Sequence, residues 1–195
     1  MFHFMIQFWA AGFYLLNKFF FAASERASTH TQQQKWRRLA WVSYLAGLPA
    51  WVTIFIFEHN WIAAAVESSG VPAMILGLAA SFRTESQPQK PTFLDTLSKW
   101  MVGVGLLISI YDFGGLTTFN QLLELGIVAG FLMGTYLMAK SEPKGYVWLM
   151  AGNVSAAMLM MRQGYYLLMV QQALSLILVA DALRVQHLKQ RAVTD

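Results

Sequence analysis

From Tyr146 to Val185 the chain reads YVWLMAGNVSAAMLMMRQGYYLLMVQQALSLILVADALRV, two long apolar segments broken only at Arg162, Gln163 and Gly164. A hydrocarbon core of ~30 Å is crossed by ~20 helical residues rising ~1.5 Å each, so either segment is long enough to span a bilayer. The stretch is a membrane helical hairpin in its pattern. Asn153 lies in its first helix, and Gln171 and Gln172 lie in its second. Hydrocarbon offers these amides no hydrogen bonds, so they must face protein, water or a ligand.

Composition extends that reading to the whole chain. Of 195 residues, 56% are hydrophobic and 12% charged, against ~25% charged in ordinary soluble domains. The absence of cysteine excludes a disulfide framework, thiolate metal sites and a cysteine nucleophile. The formal charge of +4 comes from basic residues clustered in short loops, where membrane orientation explains them better than a nucleic-acid partner. His3, His30, His59 and His187 have no metal-ligand spacing. No nucleophile, base and metal constellation is visible, so neither an enzyme nor a bound cofactor or metal is expected.

Taken in order, residues 3–22 form a first span rich in Phe, with Lys18 near its far end. No positive residue precedes this run as it would in a signal peptide, so the segment reads as a retained helix. Ser24 to Trp36 reads as a polar loop. Spans follow over about 38–57 and 61–82, joined by a tight turn at Glu58, His59 and Asn60. Residues 83–99, with Pro88 and Pro91, form the longest linker. A shorter apolar run over about 97–111 ends at Asp112, and a span over about 117–139 lies beyond Gly114 and Gly115. A basic turn, Lys140 to Lys144, leads into the hairpin, and the tail from Arg184 is basic and expected to fray.

This makes seven spans, and the charges support the count. Twelve of the 14 Lys and Arg residues fall in one set of loops, Arg162 alone falls in the other, and Lys18 lies within a span. By the positive-inside bias, the amino terminus lies outside and the carboxyl terminus in the cytoplasm of a cell inner membrane.

The halves also resemble one another. Displacing the chain by about 105 positions sets Ala46-Gly47 on Ala151-Gly152, Trp41 on Tyr146, Trp61 on Tyr166 and Glu67 on Gln172. The plan is 3+1+3: residues 1–82 as a first three-helix repeat, 83–115 as a linker with the fourth helix, 116–186 as a second repeat and 187–195 as a tail. An odd linker helix keeps the two repeats parallel, and transporters of this kind bind substrate at midplane between repeats.

Counted along their helices, Glu67, Glu124, Asn153, Gln171 and Gln172 fall in one layer, roughly 10 Å below the outer boundary at ~1.5 Å per residue. An unpaired carboxylate costs several kcal/mol there, so embedded acids are functional candidates. With no intramembrane base beside them, the two acids suit a cationic or hydrogen-bond-rich ligand, or a protonation step. The alternative is a structural network tying helices at ~0.6 kcal/mol per bond. Trp51, Trp148 and Tyr146 are candidates for stacking on a ring. Gly126, Gly130 and Gly134 form a close-packing face toward another helix or subunit. Pro49 and Pro72 are candidate kinks within spans, and Asp181 is placed to pair with Arg184.

The run from about Thr117 to Val185, with GTYLMAK closing one helix, Trp148 leading to Asn153 and QGYY opening the last, resembles the carboxyl-terminal half of PnuC-type vitamin transporters. Asn153 fits the Asn of that family's Trp-x-x-x-Asn signature, while Leu149 stands where its Trp would be and Gln171 and Gln172 fall where aromatic character is usual. The resemblance implies an all-α integral membrane protein of seven helices in the SWEET-like 3+1+3 arrangement. It also implies facilitated movement of nicotinamide riboside, thiamine, riboflavin or a related solute. The expected substrate-binding residues are Asn153, Glu67, Glu124, Gln171, Gln172, Trp148, Tyr146 and Trp51. The expected partners are a small-molecule substrate and the lipid bilayer, with homo-oligomerisation open and no nucleic acid. The rival from another class is a non-transporting scaffold or anchor subunit that uses the glycine face as its contact surface.

Overall fold

The computed structural model describes residues 2–57, 61–82, 93–112, 118–162, 164 and 166–194. The chain there forms eight helices: α1 Phe2–Arg26, α2 His30–Phe57, α3 Trp61–Ser69, α4 Val71–Ala80, α5 Phe93–Asp112, α6 Phe119–Ala139, α7 Lys144–Arg162 and α8 Tyr166–Thr194. No strand occurs among the described residues. Three helices, α2, α5 over Phe93–Tyr111 and α6, are long and apolar enough to cross a membrane, and Ala64–Ala80 is a shorter apolar stretch. The expected turn at Glu58 to Asn60, the prolines Pro88 and Pro91, and Gly114 and Gly115 lie outside the described residues.

The surface is apolar in helical stripes. On α5, Trp100, Val104, Leu107 and Tyr111 are exposed, and on α8 so are Tyr166, Val170, Leu174 and Ile177. Spacings of three and four put each set on one helix face. Water would penalise such a circumference, whereas lipid would not.

Several boundaries differ from the sequence reading. The polar segment Ser24 to Trp36 is mostly helical, and only residues 27–29 separate α1 from α2. Its Gln, Lys and Arg residues are good helix formers, and the Thr29 hydroxyl accepts from the Gln32 N–H at 3.3 Å as a cap. Helix α5 begins at Phe93 instead of about 97, with Asp95 in its first turn, where the helix dipole favours an acid. The tail continues α8 to Thr194, and the Lys189 ammonium donates to the Ala27 carbonyl at 2.9 Å.

Pro49 sits inside α2 without ending it. At Pro72 the helix does break. Helix α3 stops at Ser69, Gly70 caps α4, and the Gly70 N–H turns back to the Glu67 carbonyl at 3.2 Å. Proline has no N–H to offer the preceding turn, so the backbone loses regular bonding just after Glu67. The α7 to α8 hairpin turns at Gly164, whose φ of 79° suits glycine.

Contacts arrange the helices in a closed circuit: α1 against α2, α2 against α3 and α4, α4 against α6, α6 against α7, α7 against α8, and α8 back against α1. Helix α5 lies outside it, against α3, α4 and α6. The same order occurs twice, with the third helix of each set meeting the first helix of the other. Two matching glycines make close crossings. A Cβ on Gly47 would meet Phe13 of α1 at 3.0 Å, and one on Gly152 would meet Phe131 of α6 at 2.9 Å. The Gly126, Gly130 and Gly134 face is used within the chain, where added Cβ atoms would run into Ser155, Gly152 and Leu149 of α7.

Candidate functional site

The break after Glu67 opens onto a cavity of about 50 Å³ lined by Tyr44 of α2, Val66, Glu67, Gly70 and Met74 at the break, and Ile127, Val128, Phe131, Leu132 and Thr135 of α6. Glu67 is half-buried there. Across the cavity the Tyr44 and Thr135 hydroxyls share a hydrogen bond of 3.3 Å, joining the first set of helices to the second.

Beside it stands a residue the polar-layer reading passed over. Lys18 of α1 is 2% exposed, and its ammonium lies 4.5 Å from the ring centre of Tyr14, 5.3 Å from that of Tyr44 and 6.0 Å from that of Phe131. Its nitrogen has no hydrogen-bond partner among the described residues. Tyr44 and Phe131, which flank this charge, also line the cavity with Glu67. Each cation–π contact offers ~2 kcal/mol in a desolvated setting, while burial costs an ion several kcal/mol. The rings therefore offset part of the penalty, and three N–H donors stay unused. The expectation that the embedded acids have no base beside them is corrected: Glu67 has Lys18. The signal was legible, since Lys18 is the one basic residue inside a predicted span. Its ammonium reaches a mid-bundle partner because a lysine side chain leans back toward its helix's amino end.

The other predicted residues are placed unevenly. Asn153 is fully buried, and its Nδ2 donates to the Leu149 carbonyl of its own helix at 2.7 Å while its Oδ1 has no partner. Gln171 is buried with Nε2 unpartnered, Gln172 has Oε1 unpartnered, and Ser175, one turn further along α8, is fully buried with its hydroxyl unpartnered. None of these lines the Glu67 cavity, and neither does Glu124, which is half-buried on α6. Trp51 stacks on Phe55 of its own helix at 6.0 Å. Trp148 is exposed on the outer surface of α7, while Leu149 turns inward onto Gly134. Tyr146 is buried, and its hydroxyl donates to Glu25 at 2.9 Å.

That last bond belongs to a polar cluster at the end of the bundle where the basic residues gather. Glu25 accepts from Tyr146 and from Arg37 at 3.1 Å, and Arg37 also donates to Ser141 at 2.9 Å. Asp181 pairs with Arg26 at 2.6 Å, in place of the expected Arg184. Asp95 receives the Tyr136 hydroxyl at 2.9 Å and lies 3.1 Å from Lys99 and 3.4 Å from Lys140. Apart from Tyr44 with Thr135, the side-chain bonds that join α1 and α2 to α6, α7 or α8 among the described residues all sit at this end.

Among the described residues no group of three or more His, Cys, Asp or Glu is placed to hold a metal ion. Comparison with known protein families, with curated proteins and with solved structures finds no match to the chain.

Proposed function

We propose that the chain is a membrane facilitator for a small polar, ring-bearing solute, of the kind moved by the PnuC-type transporters that its second half resembles. On this reading α3 and α4 form one broken crossing, and the seven resulting crossings make two parallel three-helix repeats joined by α5. The basic end lies in the cytoplasm. The observation that carries the reading is the seam between the two sets, where the α3–α4 break and the Tyr44–Thr135 hydroxyl pair border a small cavity beside Glu67, and the buried, unpartnered Lys18 ammonium lies behind two of its lining rings. Broken helices with polar groups at the interface of repeats are how transporters hold a solute and still release it. A packed scaffold has no use for buried donors left open at ~1–3 kcal/mol each. The glycine face, which a scaffold would need as its contact surface, is already occupied by α7.

The polar cluster at the basic end then describes one state of the cycle, with the cytoplasmic side tied shut. Downhill flux requires only that these ties break as the other side closes, with no catalytic step. The test is uptake of labelled nicotinamide riboside, thiamine and riboflavin into vesicles that hold the purified chain, beside Glu67→Gln and Asn153→Ala. Saturable uptake reduced tenfold or more by Glu67→Gln is expected. Uptake no faster than that of empty vesicles for all three solutes would end the transport reading.

A further inference from the structure

We infer that the groove between α1 and α8 at the basic end of the bundle holds an anionic phospholipid, with its phosphate on Arg26 and the amino end of α2 and an acyl chain along the two helices. The inference needs only that the bundle lies in a membrane and is independent of transport.

A cavity of about 390 Å³ opens at this place. Its floor is apolar, from Phe19, Ala22 and Ala23 of α1 and Leu178 of α8, and its rim is polar, from Arg26, Ser28, Gln32 and Asp181. The apolar floor continues along both helices. Leu16 stands three residues before Phe19 and Leu174 four before Leu178, so each shares a helix face with its neighbour. Both leucines are exposed, and the cavity therefore runs on into an apolar furrow that a hydrocarbon chain would cover.

The rim offers donors in excess. The Arg26 side chain is 61% exposed and gives Nη2 to Asp181 at 2.6 Å, which leaves Nε and Nη1 without an acceptor among the described residues. A guanidinium fixed by one partner presents its other edge to a phosphate, a charge-assisted contact. Ser28 donates to the Gln32 side-chain oxygen at 3.3 Å, so the Gln32 amide keeps its N–H groups for another acceptor. Both residues lie at the amino end of α2, where the helix dipole favours an anion. Lys189 donates to the Ala27 carbonyl on the same turn. Two cations thus face the single carboxylate of Asp181, and a phosphodiester would neutralise the balance. Trp36, which also lines the cavity and stacks on Phe20 at 5.7 Å, suits the level of lipid headgroups. A free phosphate would use the rim and leave the furrow bare, whereas a lipid fills both.

The test is a thermal melt of the full chain in detergent with phosphatidylglycerol, phosphatidylcholine of the same acyl chains, or glycerol phosphate, beside native mass spectrometry of retained lipid. Saturating phosphatidylglycerol should raise Tm by about 5 °C or more, and one molecule should stay bound per chain. Phosphatidylcholine should shift Tm less than half as far and be lost, and glycerol phosphate should shift nothing. Arg26→Gln should weaken phosphatidylglycerol binding by about tenfold or more. Because that change also breaks the pair with Asp181, Asp181→Asn serves as the second arm: it breaks the same pair, keeps the guanidinium and should bind at least as tightly as the parent. Equal stabilisation by the two lipids, an equal response to glycerol phosphate, or equal loss of binding in the two variants overturns the inference. Failure of vesicle uptake would leave this site standing, and failure of lipid selectivity would leave the transport reading standing.

Discussion

Replacing Glu25 separates the cost of a buried bond from that of a charge. The Glu25 side chain is 3% exposed and holds the hydroxyl of Tyr146, itself 2% exposed. Glu25→Ala strands that hydroxyl, at ~1–3 kcal/mol for a buried donor without a partner. Arg37 behaves differently. Its side chain is 22% exposed and keeps its bond to Ser141, so it can turn to water. The lost ion pair is therefore worth nearer the ~0.2–1 kcal/mol of exposed pairs. One buried methylene adds ~0.8 kcal/mol. The total is about 2–5 kcal/mol, which at ~2–4 °C per kcal/mol for a chain of this size lowers Tm by roughly 4–20 °C. Glu25→Gln keeps an oxygen for Tyr146 and should lose only about 1 kcal/mol, the worth of the charge in a half-exposed pair. The assay is a circular-dichroism melt of each purified variant in one detergent. An Ala variant within two degrees of the parent would refute the reasoning. A Gln variant falling as far as the Ala variant would show that the charge, not the Tyr146 bond, carries the effect.

Gly130→Ala should cost about 1–3 kcal/mol, the usual range for overpacking, because its Cβ would meet the backbone of Gly152. Gly12→Ala, which has open space at its Cβ, should be neutral in the same melt. Asp95→Asn weakens the bond from Tyr136 and the pairs with Lys99 and Lys140 and should cost about 1–3 kcal/mol, the range for a hydrogen bond to a charged group; a variant that melts with the parent would contradict the assignment. Tyr44→Phe removes one neutral hydrogen bond at ~1 kcal/mol but keeps the ring over Lys18. It should melt within a few degrees of the parent, and a collapse of the fold would show that the Thr135 bond holds the two sets together.

The architecture was legible where physics acts locally. Period-3.6 apolar runs marked the helices, and Pro72 marked the break. The match of Gly47 to Gly152 pointed to two crossings that both press a glycine onto a phenylalanine of the preceding helix. Helix ends were misjudged because polar composition at Ser24 to Trp36 suggested a loop, although capping by Thr29 and favourable propensity continue the helices past the apolar core. The site was legible only in part. Counting depth along each helix found Glu67 but could not find its partner, because depth says nothing about which helices are neighbours or which way a long side chain leans. Tyr146 looked available for stacking until the fold set it against Glu25, a residue beyond the predicted end of the first span.

What repeats and what does not separates scaffold from chemistry. Registered on Phe13 and Phe131, Lys18 corresponds to Tyr136, and registered on Gly47 and Gly152, Glu67 corresponds to Gln172. The close crossings are thus kept in both sets, while the opposed charges occur in the first alone. Buried charges that served the packing alone would be as useful in either set. Their occurrence in one set only, with an uncharged face of α6 across the cavity from Glu67, is what the proposed transport function would use to let one half meet a polar solute while the other moves against it.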